Sequence, residues 1–183
     1  MNLNKLEFLL LLLYIPGFTK KENESIKGIT RLDKIIFLVQ KKLELNIYNF
    51  IEYDYGPWSS EIQSDIRLLG EGGLVKIVED KLLISVEVID RTDKDEIVNT
   101  IEIYSLTPGG EKIAKEIFDK LNNNEKKILL EIKYEFNKIP LTDLIKYVYE
   151  KYPEMTTKSK ILDKILKSDL YGKRPELIYD DED

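Results

Sequence analysis

The chain contains no cysteine and no histidine. The first absence excludes disulfides and thiolate metal sites. The two together remove Cys-His and Ser-His-Asp catalysis and nearly all zinc chemistry. Carboxylates, lysines, tyrosines and hydroxyls are the remaining chemical tools, so no enzymatic activity, catalytic residue, cofactor or metal site is expected. Long apolar runs are also lacking. Phe8–Ile15 is too short to cross a bilayer, has no small-residue cleavage site and runs straight into Pro16-Gly17. It reads as a helix buried on most sides, and with no export signal the expected location is cytoplasmic. Glycine (9) and proline (6) are scarce, which makes each a useful marker of an element boundary.

What is present suits a folded domain. The 183 residues are 43% hydrophobic and 34% charged, enough for an ordinary core and unlike a disordered chain. Residues 3–14 read as a first helix stopped by Pro16-Gly17, and 19–27 as a polar loop. A second helix starts near Thr30, with Thr30 and Asp33 as an Asp form of the capping box. Its stripe is Leu32, Ile35, Ile36, Val39 and Leu43, widened by Phe37 and Leu38, with Arg31, Lys34, Lys41 and Lys42 off it. Residues 46–55 are rich in β-formers and end at a Gly56-Pro57 turn. Ser59 is the expected N-cap of a third helix with Ile62, Ile66 and Leu69 inward, and Gly72 or Gly73 its left-handed cap.

Strands are expected at 74–78, at 82–89 and at 98–106, with an acidic loop at 90–96 between the last two. Thr107-Pro108 then opens a helix carried by Ile113, Ala114, Ile117, Phe118 and Leu121. Asn122–Asn124 reads as a linker, followed by helices at 125–136 and at 141–151, the second stopped by Pro153. A last helix runs from Thr156 or Thr157 to Lys167, before an acidic tail at 180–183. Helix, hairpin, helix is the skeleton of a winged helix. The predicted fold is therefore α+β, mostly α: a winged helix-turn-helix-like domain with a β-hairpin wing at 1–121, and a C-terminal helical extension with its acidic tail at 122–183. Tyr147, Tyr149 and Tyr152 cover more than one face of the Leu141 helix, which suggests one face on the main domain and another on a second copy, a homodimer.

The net charge is −6, unevenly spread. A wing holding Asp90, Asp93, Asp95 and Glu96 repels a phosphate backbone; the second helix and the lysines of 151–174 are better electrostatic candidates, or else plain solvated helix faces. On the third helix only Gln63 and Arg67 suit base readout. Tyr53, Tyr55 and Trp58 form either a stacking platform or peptide pocket, or a plug between the second and third helices. Arg31 and Asp54 are a possible ion pair. Glu22/Glu24 and Asp93/Asp95 read as solvated loop acids. Gly72-Gly73 and Gly109-Gly110 lack the Lys-Ser/Thr partner of a phosphate loop.

Three stretches carry a resemblance: Gly28-Ile29-Thr30-Arg31-Leu32-Asp33-Lys34-Ile35-Ile36-Phe37-Leu38, then Tyr55-Gly56-Pro57-Trp58-Ser59, then Leu69-Gly70-Glu71-Gly72-Gly73-Leu74. Across residues 3–121 the chain resembles a group of uncharacterised archaeal and bacterial winged-helix-like proteins with a Y-G-P-[YW]-S element, distantly similar to the Panacea domain of antitoxins. Tyr104–Gly110 resembles the Y-x-L-T-x-x-G element that closes the wing in PadR-like and MarR-like regulators. The resemblance implies a regulator or an antitoxin-like role and no catalytic residue. The chain departs from a regular helix-turn-helix in the roughly fourteen residues (45–58) between the second and third helices. The leading expectation is a DNA-binding transcriptional regulator that contacts double-stranded DNA through Arg31, Lys34, Lys41, Lys42, Gln63 and Arg67 without a cofactor. The alternative is an antitoxin-like protein–protein interaction module that holds its partner at Tyr53, Tyr55 and Trp58.

Overall fold

The computed structural model describes residues 3–83 and 98–162. Helix α1 (Lys5–Tyr14) starts at a capping box in which Asn4 accepts from the Glu7 amide and Glu7 reaches back to that of Asn4. Every residue from Phe8 to Ile15 is buried, as expected of an apolar helix at the centre of a core. Such burial stabilises by about 1.5–3 kcal/mol per large side chain. Against it pack α3 (Ser60–Glu71) and α4 (Pro108–Asp119), while α2 (Ile29–Leu43) carries α5 (Asn123–Phe136) and α6 (Leu141–Lys151). One cluster of buried side chains joins residues on both sides of the 121/122 position, from Leu32 and Ile66 to Leu129 and Leu144.

The strands form two small antiparallel sheets. In the first, β1 (Ile26–Lys27), β5 (Val98–Leu106) and β4 (Val75–Leu83) lie in the order β1-β5-β4, with Ile26 opposite Tyr104 and Val75 opposite Leu106. The second is the hairpin β2 (Ile51–Tyr53) and β3 (Gly56–Trp58). The molecule is α+β, mostly helical, and its helices with a β-hairpin are consistent with a winged-helix-like fold.

Several boundaries differ from expectation. The loop at 19–27 contains β1, a strand too short to show a period. The cap of α2 is Gly28 at φ 87°, with no side-chain bond; Asp33 is buried and bonds no amide there, so the Thr30/Asp33 capping box does not form. Gly56-Pro57 is not the turn that ends β2. The turn is Asp54-Tyr55, and Gly56 and Pro57 are the first residues of the return strand. Ser59 is the N-cap of α3, but its buried hydroxyl makes no bond. Gly73 supplies the left-handed residue after α3 at φ 68°. Residues 75–83 form one strand rather than two, because the polar positions Glu79 and Asp80 stay in the ladder. The Asn122 "linker" is a second capping box with Glu125. Glu24 is not a solvated acid. It is buried and accepts from the Thr19 amide (2.7 Å), the Thr19 hydroxyl and the Asn137 amide group (2.6 Å); burial alone would raise its pKa, but together the hydroxyl and amide donors outweigh this and hold it below the usual range.

Thr107 caps α4 with Pro108 at its first position, and β5, α5 and α6 keep their expected extents to within two residues. The acidic loop at 90–96, the strand positions 84–89, most of the last helix and the tail at 180–183 lie outside the described residues; Thr157 is in a turn.

Candidate interaction site at the aromatic elbow

The expected nucleic-acid contacts do not converge. Arg31 and Lys34 are buried, the lysine only 1% exposed. The Arg31 guanidinium donates to the carbonyls of Phe136 (2.6 Å) and Ile139 (2.8 Å), closing the C-terminal end of α5. Lys34 Nζ donates to the Pro57 carbonyl at 2.8 Å. Neither can reach a phosphate, which corrects their assignment as DNA contacts. Their charge sets both residues off the apolar stripe in the sequence, yet α2 is buried from Arg31 to Gln40. Desolvation pulls Lys34 down to about 8 and pushes neighbouring Asp33 up to about 7. Arg31 does not pair with Asp54, whose carboxylate takes Lys160 instead at 2.6 Å.

Of the other four, Lys41 and Lys42 are exposed at the end of α2, and the Lys41 ammonium lies over the rings of Phe37 and Tyr152. Gln63 and Arg67 are exposed on α3. Arg67 is tied to Glu102 at 2.9 Å, so the outer face of α3 offers little free positive charge beside Glu61 and Glu71.

The aromatic residues, by contrast, do come together. Ile51 and Tyr53 are on one face of β2, and Trp58 is opposite Ile51 on β3. The Tyr53 and Trp58 rings stack with centroids 4.8 Å apart and planes 27° from parallel. Ile51, Tyr53 and Tyr55 are 54%, 46% and 47% exposed, and Trp58 is partly buried. An isolated two-stranded hairpin is marginal in water; this one is held from outside. Lys34 holds Pro57 from below. Gly56, at φ 87°, lets the strand close on Tyr149, whose ring would meet an added Cβ at 2.7 Å. The segment after α6 binds the tip: the Lys160 amide donates to the Asp54 carbonyl (3.1 Å), Lys160 Nζ to the Asp54 carboxylate, and the Thr157 hydroxyl to Glu52. The Asp54 carboxylate raises the pKa of Lys160.

Sequence reasoning missed Ile51, which it counted as a β-former, and the pinning by Thr157 and Lys160, for which pattern has no signal across so many intervening residues. It also placed a second copy against α6. The three α6-region tyrosines pack within the chain: Tyr147 on Phe136, Tyr152 on Phe37, Tyr149 beneath the hairpin. Among the described residues no three His, Cys, Asp or Glu side chains are grouped to hold a metal ion, and no helix is long and apolar enough to cross a membrane. No family model matches the chain, and no curated protein matches its sequence.

Proposed function

We propose that the chain is a non-enzymatic protein-interaction module, antitoxin-like in the sense that its resemblance implies, in which the β2–β3 elbow receives an apolar anchor of a partner polypeptide. The observation that carries this reading is the exposure of Ile51, Tyr53 and Tyr55 together on a hairpin whose charged groups are already satisfied from behind. Clustered apolar side chains on a rigid support mark contact surfaces, and aromatic anchors dominate binding energy there. Trp58 is the only tryptophan, so its emission reports directly on the site. Selection from a displayed library of random linear peptides should yield binders with an aromatic or branched aliphatic residue that shift Trp58 fluorescence. Tyr53→Ser should weaken them at least about tenfold, or about 1.4 kcal/mol. Selected peptides that bind Tyr53→Ser as well as the original chain would overturn the assignment.

A second reading, double-stranded DNA binding by a winged-helix-like regulator, is favoured by one observation: Lys41 and Lys42 are exposed at the end of α2, and Lys41 Nζ lies 5.8 Å from the ring centre of Tyr152, the residue that follows exposed Lys151. Phosphate contacts of this kind are salt-dependent. On this reading a mixed-sequence duplex shifts in a low-salt gel, and Lys41→Glu/Lys42→Glu/Lys151→Glu reduces its affinity at least about tenfold. An unchanged shift would remove these lysines as contacts.

A further inference from the structure

Strand β4 has one edge paired with β5. The direction of its remaining groups follows from bonds on the far side of β5. The Glu102 carbonyl accepts from the Gly28 amide at 2.8 Å, and both backbone groups of Leu106 bond to the Asn23 side chain. In an antiparallel ladder the N–H and C=O of one residue point the same way. Glu102 and Leu106 therefore face away from β4, and their partners Glu79 and Val75 turn their amides away from β5. Alternation adds Ile77. The outward Val75 carbonyl lies against α3 at Gly70, so Ile77 and Glu79 present donors and acceptors on an edge that pairs with no strand among the described residues, a standing template for another chain.

The side chains on this strand are self-complementary. Val75 is buried and Ile77 packs on α3 at Gly70, which turns Lys76, Val78 and Asp80 to the opposite, outer face. Val78 is 41% exposed. Lys76 is exposed with no ion pair among the described residues, and Asp80 has one oxygen on Lys27 in a half-exposed pair.

We propose that a second copy of this chain occupies the edge, β4 against β4 antiparallel, with the two-fold axis at Val78. Ile77 and Glu79 of opposite copies then exchange both backbone hydrogen bonds, as their outward amides require. Val78 meets its own mate, and Lys76 of each copy faces Asp80 of the other, in non-hydrogen-bonded pairs where side chains approach most closely. Other registers lose this match. An axis at Glu79 sets the two Glu79 carboxylates opposite each other; an axis at Ile77 sets Lys76 opposite Val78 and Asp80 opposite Leu74. The interface goes beyond the elbow reading and uses none of its residues.

Sedimentation of the full chain tests it. The unaltered chain should form a dimer. Lys76→Asp puts acid opposite acid at both ends of the strand, and Asp80→Lys puts base opposite base, so each variant alone should self-associate at least about tenfold more weakly. An equimolar mixture of the two restores acid opposite base at both ends and should recover a dimer; the mixture controls for misfolding and for loss of the Lys27 pair, since neither defect is repaired by mixing. A monomeric unaltered chain, a dimer indifferent to both variants, or a mixture no tighter than its components would overturn the proposal.

Discussion

Lys133→Ala is expected to destabilise the fold by about 4 kcal/mol, from a cavity and from carbonyls left without a donor. Lys133 is 0% exposed, and its ammonium donates to the carbonyls of Leu12 (2.8 Å), Leu13 (3.0 Å) and Ile15 (2.7 Å). A helix leaves its last carbonyls unpaired, and those of α1 are fully accounted for here. Leu11 takes the Ile15 amide, Tyr14 takes that of Asn23, and the others take Lys133. The cation also complements the negative end of the helix. Urea unfolding checks the loss, with Lys133→Met as the variant that keeps volume and should cost less.

The same residue gives a pH signature. Burial pulls Lys133 down to about 7 and Lys34 down to about 8, both below the ordinary 10.5, so between those values the unfolded chain binds more protons than the folded one. Stability then rises with pH across this window and is lost again as pH falls toward 7. Burial pushes Tyr14 up to about 12 and also raises Tyr48 and Tyr104. Those groups stay protonated in the fold after they titrate in the unfolded chain, so stability falls above about pH 10. Urea midpoints at fixed ionic strength should be higher at pH 9.5 than at pH 7.5, and Lys133→Met should shrink that difference. An undiminished difference in the variant would place its origin elsewhere.

The residues that were legible in the sequence are those whose role is local. Thr107 with Pro108, and Pro153, set element ends within a turn of themselves. The apolar periods of α3 and α4 placed Ile62, Ile66, Leu69, Ala114 and Ile117 inside. What failed was the reading of charge. Arg31, Lys34 and Lys133 look like surface residues in any hydropathy pattern, and all three are buried against backbone carbonyls. Arg31 and Lys133 each close a helix end distant in sequence: Arg31 on α2 serves α5, and Lys133 on α5 serves α1. Such a partner is set by packing, not by spacing, so it has no local signature. The elbow was half legible for the same reason. Tyr53, Tyr55 and Trp58 stood out by type, but their exposure depends on Lys34, Tyr149 and Lys160, which arrive from other elements.

Gly110→Ala is expected to cost about 3 kcal/mol or more, although intrinsic helix preference would favour alanine by up to about 1 kcal/mol. Gly109-Gly110 looks like a weak first turn of α4. In the fold that turn presses against the start of β4. A Cβ on Gly110 would overlap the Leu74 carbonyl oxygen and lie 3.0 Å from its carbon. Leu74 cannot give way cheaply, because its carbonyl also accepts the Thr107 amide at 3.0 Å and its own amide is bonded to Leu69. Moving it disturbs the cap of α3, the base of the β4–β5 hairpin and the cap of α4 together. Gly109 is the control: its nearest neighbours to an added Cβ are at 3.7 and 3.8 Å, ordinary contact distances, so Gly109→Ala should be neutral or stabilising by up to about 1 kcal/mol. Thermal melts of the two variants should therefore move in opposite directions, or one not at all. Equal shifts would mean that glycine matters here for chain freedom alone, and that the close approach of α4 to Leu74 is not what selects it.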